Sequence, residues 1–173
     1  GSSIGVETMQ RRDTLPYMSN DLFSAIRLSY GKGSYNMYVF LPGAGTDLQE
    51  VVGKLNKDNW EIWMGSFEET ENVDIKLPGF KYKYEIKLND ALTEMGMGIA
   101  FTGAADFTGI NREGGLNIDY VKHKSFIEVN EEGTEAAAVT IVAIERTSAG
   151  PQIIPFHVNR PFFYAITEKS TGA

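Results

Sequence analysis

The run Glu131-Glu132-Gly133-Thr134-Glu135-Ala136-Ala137-Ala138-Val139 constrains this chain more than any other segment, because it is strand-like without needing to be a strand. Taken with a period of two from Thr134, one face carries Thr134, Ala136, Ala138, Thr140, Val142 and Ile144, uncharged throughout and growing from small to apolar. The other face carries Glu135, Ala137, Val139, Ile141, Ala143 and Glu145, with acids only at its ends. Such a ribbon can enter a sheet between two strands without burying a charge, and it can equally stay outside as a solvated loop. A helix competes with both, since Thr134 is a good N-cap and Glu135 to Ala138 are good helix formers. The β-branched run Val139-Thr140-Ile141-Val142 favours extension instead. An insertion-competent loop is the favoured expectation, with a permanent strand and a helix as the alternatives.

The rest of the chain reads as mostly antiparallel β structure with a few short helices, an α+β class. Leu22 to Tyr30 and Tyr35 to Leu41 are β-prone runs around Gly31-Lys32-Gly33-Ser34, which predicts a hairpin. Thr46 with Gln49 reads as a capping box before Leu48, Val51, Val52 and Leu55, and Asp58 with Glu61 suggests a second helix carrying Trp60 and Trp63. Two tryptophans at that spacing are expected to pack in a core rather than to cage a ligand. Val73 to Leu88 reads as extended with a break at Pro78-Gly79. Leu88, Ala91, Leu92 and Met95 then form an apolar helical stripe stopped by Gly96. Asn117 to Asn130 is extended again, and strands at 153–158 and 161–167 follow, with Pro161 at a strand start or bulge. No repeat or linker interrupts the chain, so residues 1–173 are expected to form one structural unit. Within it, 22–67 supplies a hairpin and helices, 73–130 sheet strands and a helix, 131–152 the permissive segment, and 153–173 the closing strands.

Composition narrows the partners. With 173 residues, 42% hydrophobic and 23% charged, the chain falls in the globular range and can bury a core. A formal charge of −7 argues against nucleic acid or an anionic membrane surface as a partner. Lys76, Lys81, Lys83 and Lys87 are the densest basic group and read as a solvated strand face, with a polyanion site as the alternative. There is no cysteine and no apolar run long enough to span a bilayer. Gly1-Ser2-Ser3 reads as a cloning remnant rather than a native start.

Catalysis finds little support. A hydrolase needs a nucleophile, a base and an orienting group, yet His123 and His157 both lie in strand-like runs without a nucleophile motif. His123 is expected to be a hydrogen-bonded structural residue and His157 a surface strand position. Gly31-x-Gly33, Gly43-x-Gly45 and Gly96-x-Gly98 lack the third glycine of a nucleotide fingerprint and read as turns. Glu68, Glu69, Glu71 and Asp74 lack calcium-loop spacing and read as a solvated charge run. No catalytic residue, metal or cofactor is expected.

A second block, Phe156-His157-Val158-Asn159-Arg160-Pro161-Phe162-Phe163-Tyr164-Ala165-Ile166, joins the first in a resemblance. Together they are similar to the C-terminal signature, with Phe156, Asn159, Arg160, Pro161 and Phe162 at its defining positions, and the hinge, Glu131 to Ala138, of the serpin family of protease inhibitors. Three further blocks agree in order: Asp74 to Lys81, Leu92 to Met97, and Ala100-Phe101 through Ala105 to Ile110. His123, ten residues before Gly133, resembles the family's histidine at the shutter region of the central sheet.

The resemblance implies the C-terminal portion of the serpin fold, needing about as much chain again before Gly1 and one more strand after Ala173. It implies a suicide substrate of a serine or cysteine protease, extracellular or secreted, with the N-terminal remainder of the domain as an obligatory partner. Gly133 to Thr147 is fourteen steps, which places the cleaved bond at Thr147-Ser148, with Arg146-Thr147 as the alternative register. These residues alone are expected not to inhibit. A non-inhibitory carrier or chaperone, and a fragment binding through its strand edges, are the competing expectations.

Overall fold

The computed structural model describes residues 5–130 and 151–172. These form two compact units, Phe80–Val129 and the remainder of the described chain.

The larger unit is a sheet that is six-stranded among the described residues. Its strands are β1 (Thr8–Ser19), β2 (Phe23–Tyr30), β3 (Tyr35–Pro42), β4 (Glu68–Pro78), β7 (Ile154–His157) and β8 (Phe163–Glu168), in the order β7-β4-β1-β2-β3-β8. The hairpin expected from the sequence is there, with Tyr30 facing Tyr35 across Gly31, Lys32 and Gly33. All three turn residues have positive φ, which the two glycines accept without penalty and which leaves Lys32 at φ 57° as the strained member. Every residue of β3 except Tyr35 is buried, so this strand runs through the core rather than along its edge.

Helices α1 (Leu48–Gly53) and α2 (Lys57–Gly65) supply side chains to one face of the sheet. There Val51 and Trp63 join Met18, Phe23, Ala25, Tyr38 and Phe40, with Trp60 packed alongside. The rings meet edge-on, Phe23 to Trp63 at 4.9 Å and Phe23 to Phe40 at 5.3 Å, the arrangement that aromatic quadrupoles favour. The tryptophans are core residues, as expected. The caps differ from expectation by a residue or two: Asp47, not Thr46, accepts from Gln49 N at 2.8 Å, and Asn56, not Asp58, accepts from Asn59 N at 2.9 Å. Thr46 is held in the preceding turn by its own N–H to Gly43 O, so the helix starts one residue later.

β1 is a strand the sequence reading did not find. It pairs with β4 over nearly its whole length, with a register shift between Asp13 and Leu15 opposite Asn72, whose φ is 59°. β4 begins at Glu68, so the charge run Glu68, Glu69, Glu71 and Asp74 lies on a strand, with the three glutamates exposed and Asp74 half-buried. Its inner positions Val73, Ile75 and Leu77 are buried with a period of two.

The smaller unit is an antiparallel ribbon of β5 (Phe80–Lys87) and β6 (Lys122–Val129), joined through α3 (Asn89–Leu92) and irregular helical turns. Gly96 at φ 95° ends the regular turn where the sequence places a stop. Asn89 ties the return segment in place, donating to Asp119 O at 3.0 Å and accepting from Val121 N at 3.0 Å. The expected strand from Asn117 starts only at Lys122.

Candidate functional site

The permissive segment joins β6 to β7, so these two strands are its upstream and downstream anchors. Glu131, Glu132, Gly133, Thr134, Glu135, Ala136, Ala137 and Ala138 lie outside the described residues, as do Arg146, Thr147 and Ser148. What the structure defines is how each anchor is held.

Upstream, β6 pairs with β5 from Lys122 facing Lys87 to Val129 facing Phe80. Period two divides the ribbon into faces of different chemistry. One carries Tyr82, Tyr84 and Ile86 opposite Ile127, Ser125 and His123. The other carries ion pairs, Lys81 to Glu128 at 2.9 Å and Glu85 shared between Lys122 at 2.6 Å and Lys124 at 3.0 Å. The two lysines hold the Glu85 carboxyl below its ordinary range, chiefly through the hydrogen bonds they donate. Lys81 and Lys83 are thus solvated strand positions, the bland expectation for the basic group.

His123 is exposed and makes no side-chain hydrogen bond to another described residue. His157 is a strand position with its side chain 36% exposed, and it also has a partner: its Nε2 donates to Asp74 Oδ2 over 2.8 Å, with the Asp74 side chain 15% exposed. That bond holds the Asp74 carboxyl below the usual carboxylate range; burial opposes it, while the charge of His157, a hydrogen bond from Gln10 and the charge of Arg12 add to it. The sequence offered no sign of this pair, whose members are 83 residues apart.

Downstream, β7 lies parallel to β4, Ile154 beside Val73 and His157 beside Lys76. Phe156 is 0% exposed and stands next to Ile75 on the inner face. Val158 N continues the ladder to Lys76 O at 2.8 Å. Beyond it, Arg160 Nε donates to Pro42 O at 2.7 Å and Arg160 Nη1 to Asn159 Oδ1 at 3.1 Å, fastening the link between β7 and β8 to the end of β3. Pro161 and Phe162 sit in that link; β8 starts at Phe163, two residues later than expected, because proline has no N–H for the ladder. Phe163 then meets Phe40 at 5.4 Å. The signature residues therefore act as a buried plug and a backbone clasp.

The family model described as Serpin (serine protease inhibitor) matches residues 1–173. Iris of Ixodes ricinus is 37% identical over 144 residues, covering 83% of this chain and 38% of its own length. A serpin-like protein of Thermococcus kodakarensis is 36% identical over 169 residues, covering 96% of this chain and 39% of its own. The native crystal structure of the thermophilic serpin tengpin superposes with a TM-score of 0.71 at 34% identity, covering 96% of this chain and 43% of that one. The chain belongs to the serpin family. It spans about two fifths of the length of the relatives it matches, and its fold is a corresponding part of the serpin fold.

Proposed function

We propose that this chain supplies the bait loop and both loop anchors of a suicide-substrate inhibitor of serine-type endopeptidases, itself not an enzyme. The observation that carries the proposal is the placement of the hinge-like block Glu131 to Ala138 between β6 and β7 in a chain of this family. The target protease attacks Thr147-Ser148, or Arg146-Thr147 in the alternative register. While the acyl-enzyme persists, the peptide after Gly133 enters a sheet as a strand, gaining main-chain hydrogen bonds and burying its uncharged face. The small side chains of Ala136, Ala137 and Ala138 let the first residues pass a narrow gap quickly. The alanine-rich hinge favours this reading over a carrier or chaperone.

The receiving strands belong to an N-terminal remainder of the domain, and the present residues alone do not inhibit. Tyr82 at 49% and Tyr84 at 48% exposure, on one face of the ribbon with Ile86, support this, since an apolar sheet face in a complete domain is covered. His123 on that same face keeps its shutter assignment within the proposal. The partner is a serine or cysteine protease, and the site of action is extracellular.

The test is incubation of the intact protein containing this chain with a panel of serine proteases, followed by denaturing electrophoresis. A denaturant-stable complex, with a new N-terminus at Ser148 or Thr147, supports the proposal. Turnover of the protein as a plain substrate by every protease that cuts this loop contradicts it.

A further inference from the structure

We infer that Asp74 and His157 form a positioning pair that fixes the downstream anchor of the loop, an inference that rests on the proposed role of residues 131–152 as bait.

The backbone ladder that holds β7 is short, so its side-chain ties count. The strand is four residues long, it is an outer strand of the described sheet, and Pro155 removes one of its backbone donors. Its pairing to β4 is parallel, the slightly weaker ladder geometry. On the inner face Phe156 plugs it against Ile75; on the opposite face, by strand alternation, His157 is the next residue and reaches Asp74 at 2.8 Å.

Asp74 is itself oriented from a third strand. Arg12 of β1 stands directly opposite it in the register, and the cross-strand pair Gln10 and Lys76 lies on the same face two residues away. The tie therefore runs from β7 through β4 to β1, so force on the loop end is shared by three strands. A hydrogen bond to an ionised carboxylate in a partly buried site is worth more than a neutral one. A loop end held this way presents its bond to a protease in fewer arrangements, which lowers the ordering cost of complex formation.

The experiment is hydrogen exchange on the intact protein containing this chain, followed on peptides covering 151–160 and, as an internal reference, β2 and β3. Removing the donor with His157→Ala is expected to raise exchange of the β7 amides about tenfold, leaving Ile26 and Val39 at wild-type rates. His157→Gln, whose amide can still donate to Asp74, is expected to retain most of the protection. Asp74→Asn, a milder change than Ala, should raise exchange less than His157→Ala and at the same amides. Unchanged β7 exchange in His157→Ala overturns the inference, and so does an equal rise in β2 and β3, which would mark general destabilisation. No protease enters this assay, so its failure leaves the inhibitory proposal standing, while failure to form a covalent complex leaves the pair standing.

Discussion

Phe156→Ala tests the downstream anchor most severely. Phe156 has no exposed surface, and its ring is the inner-face contact of a strand that is only four residues long. Removing roughly 150 Å² of buried aromatic surface at about 25 cal/mol per Å² costs on the order of 4 kcal/mol. That agrees with the range of about 3–5 kcal/mol for truncating a buried phenylalanine, where a residual cavity adds to the transfer loss. β7 has a neighbour on one side only among the described strands, so the site can relax by letting the strand go rather than by collapsing around the void. The loss should therefore show in two assays. Urea unfolding followed by tryptophan fluorescence should move its midpoint by an amount equivalent to about 3–5 kcal/mol, with a slope no greater than that of wild type because release of β7 leaves less surface to expose. Limited proteolysis should expose new cuts in residues 151–158. A shift worth less than about 1 kcal/mol, with β7 still protected, would refute the claim that Phe156 anchors the strand.

Three further predictions follow from other parts of the molecule. Because the folded Asp74 carboxyl lies below its unfolded value, its contribution to stability is present above about pH 3.9 and lost as pH falls through the lower folded value. Asp74→Asn should remove that part of the acid limb, read as a flatter dependence of the urea midpoint on pH below about 4 than in wild type; an identical acid limb would contradict the assignment. Asn56→Ala should cost about 1 kcal/mol by leaving the Asn59 N–H of α2 without its cap, measured by thermal unfolding, whereas Thr46→Ala should cost less because Thr46 caps nothing. Under the proposed function, Ala138→Pro or Ala136→Arg in the intact protein should slow loop insertion and divert the reaction toward cleavage, raising the moles of protein consumed per protease several-fold; either variant trapping protease as well as wild type counts against insertion as the trap.

What could be read from the sequence was local. The hairpin of β2 and β3 announced itself through two apolar runs around Gly31 and Gly33, and the stop at Gly96 through a residue that tolerates φ 95°. Helices α1 and α2 were visible from apolar spacing, but Thr46, Asp47, Asn56 and Asp58 are all good caps, and only the turn geometry decides between neighbours. β1 was hidden because Gln10, Arg11, Arg12, Asp13 and Pro16 break the apolar alternation of an ordinary half-buried strand. Its pairing with β4, more than burial, makes it a strand. The parallel placement of β7 on β4 and the tie from His157 to Asp74 are long-range facts with no local signature. At the signature, Phe156 and Arg160 were found by resemblance to the family. Their roles, a plug beside Ile75 and a clasp on Pro42 O, needed the structure.

The proposed function requires that the peptide after Gly133 gain access to a lower-energy arrangement once the bond near Thr147 is cut. Calorimetry of the intact protein before and after nicking within residues 144–149 addresses it directly. The account predicts a large rise in unfolding temperature on nicking, with both pieces still associated. A melting temperature that stays the same or falls would contradict it.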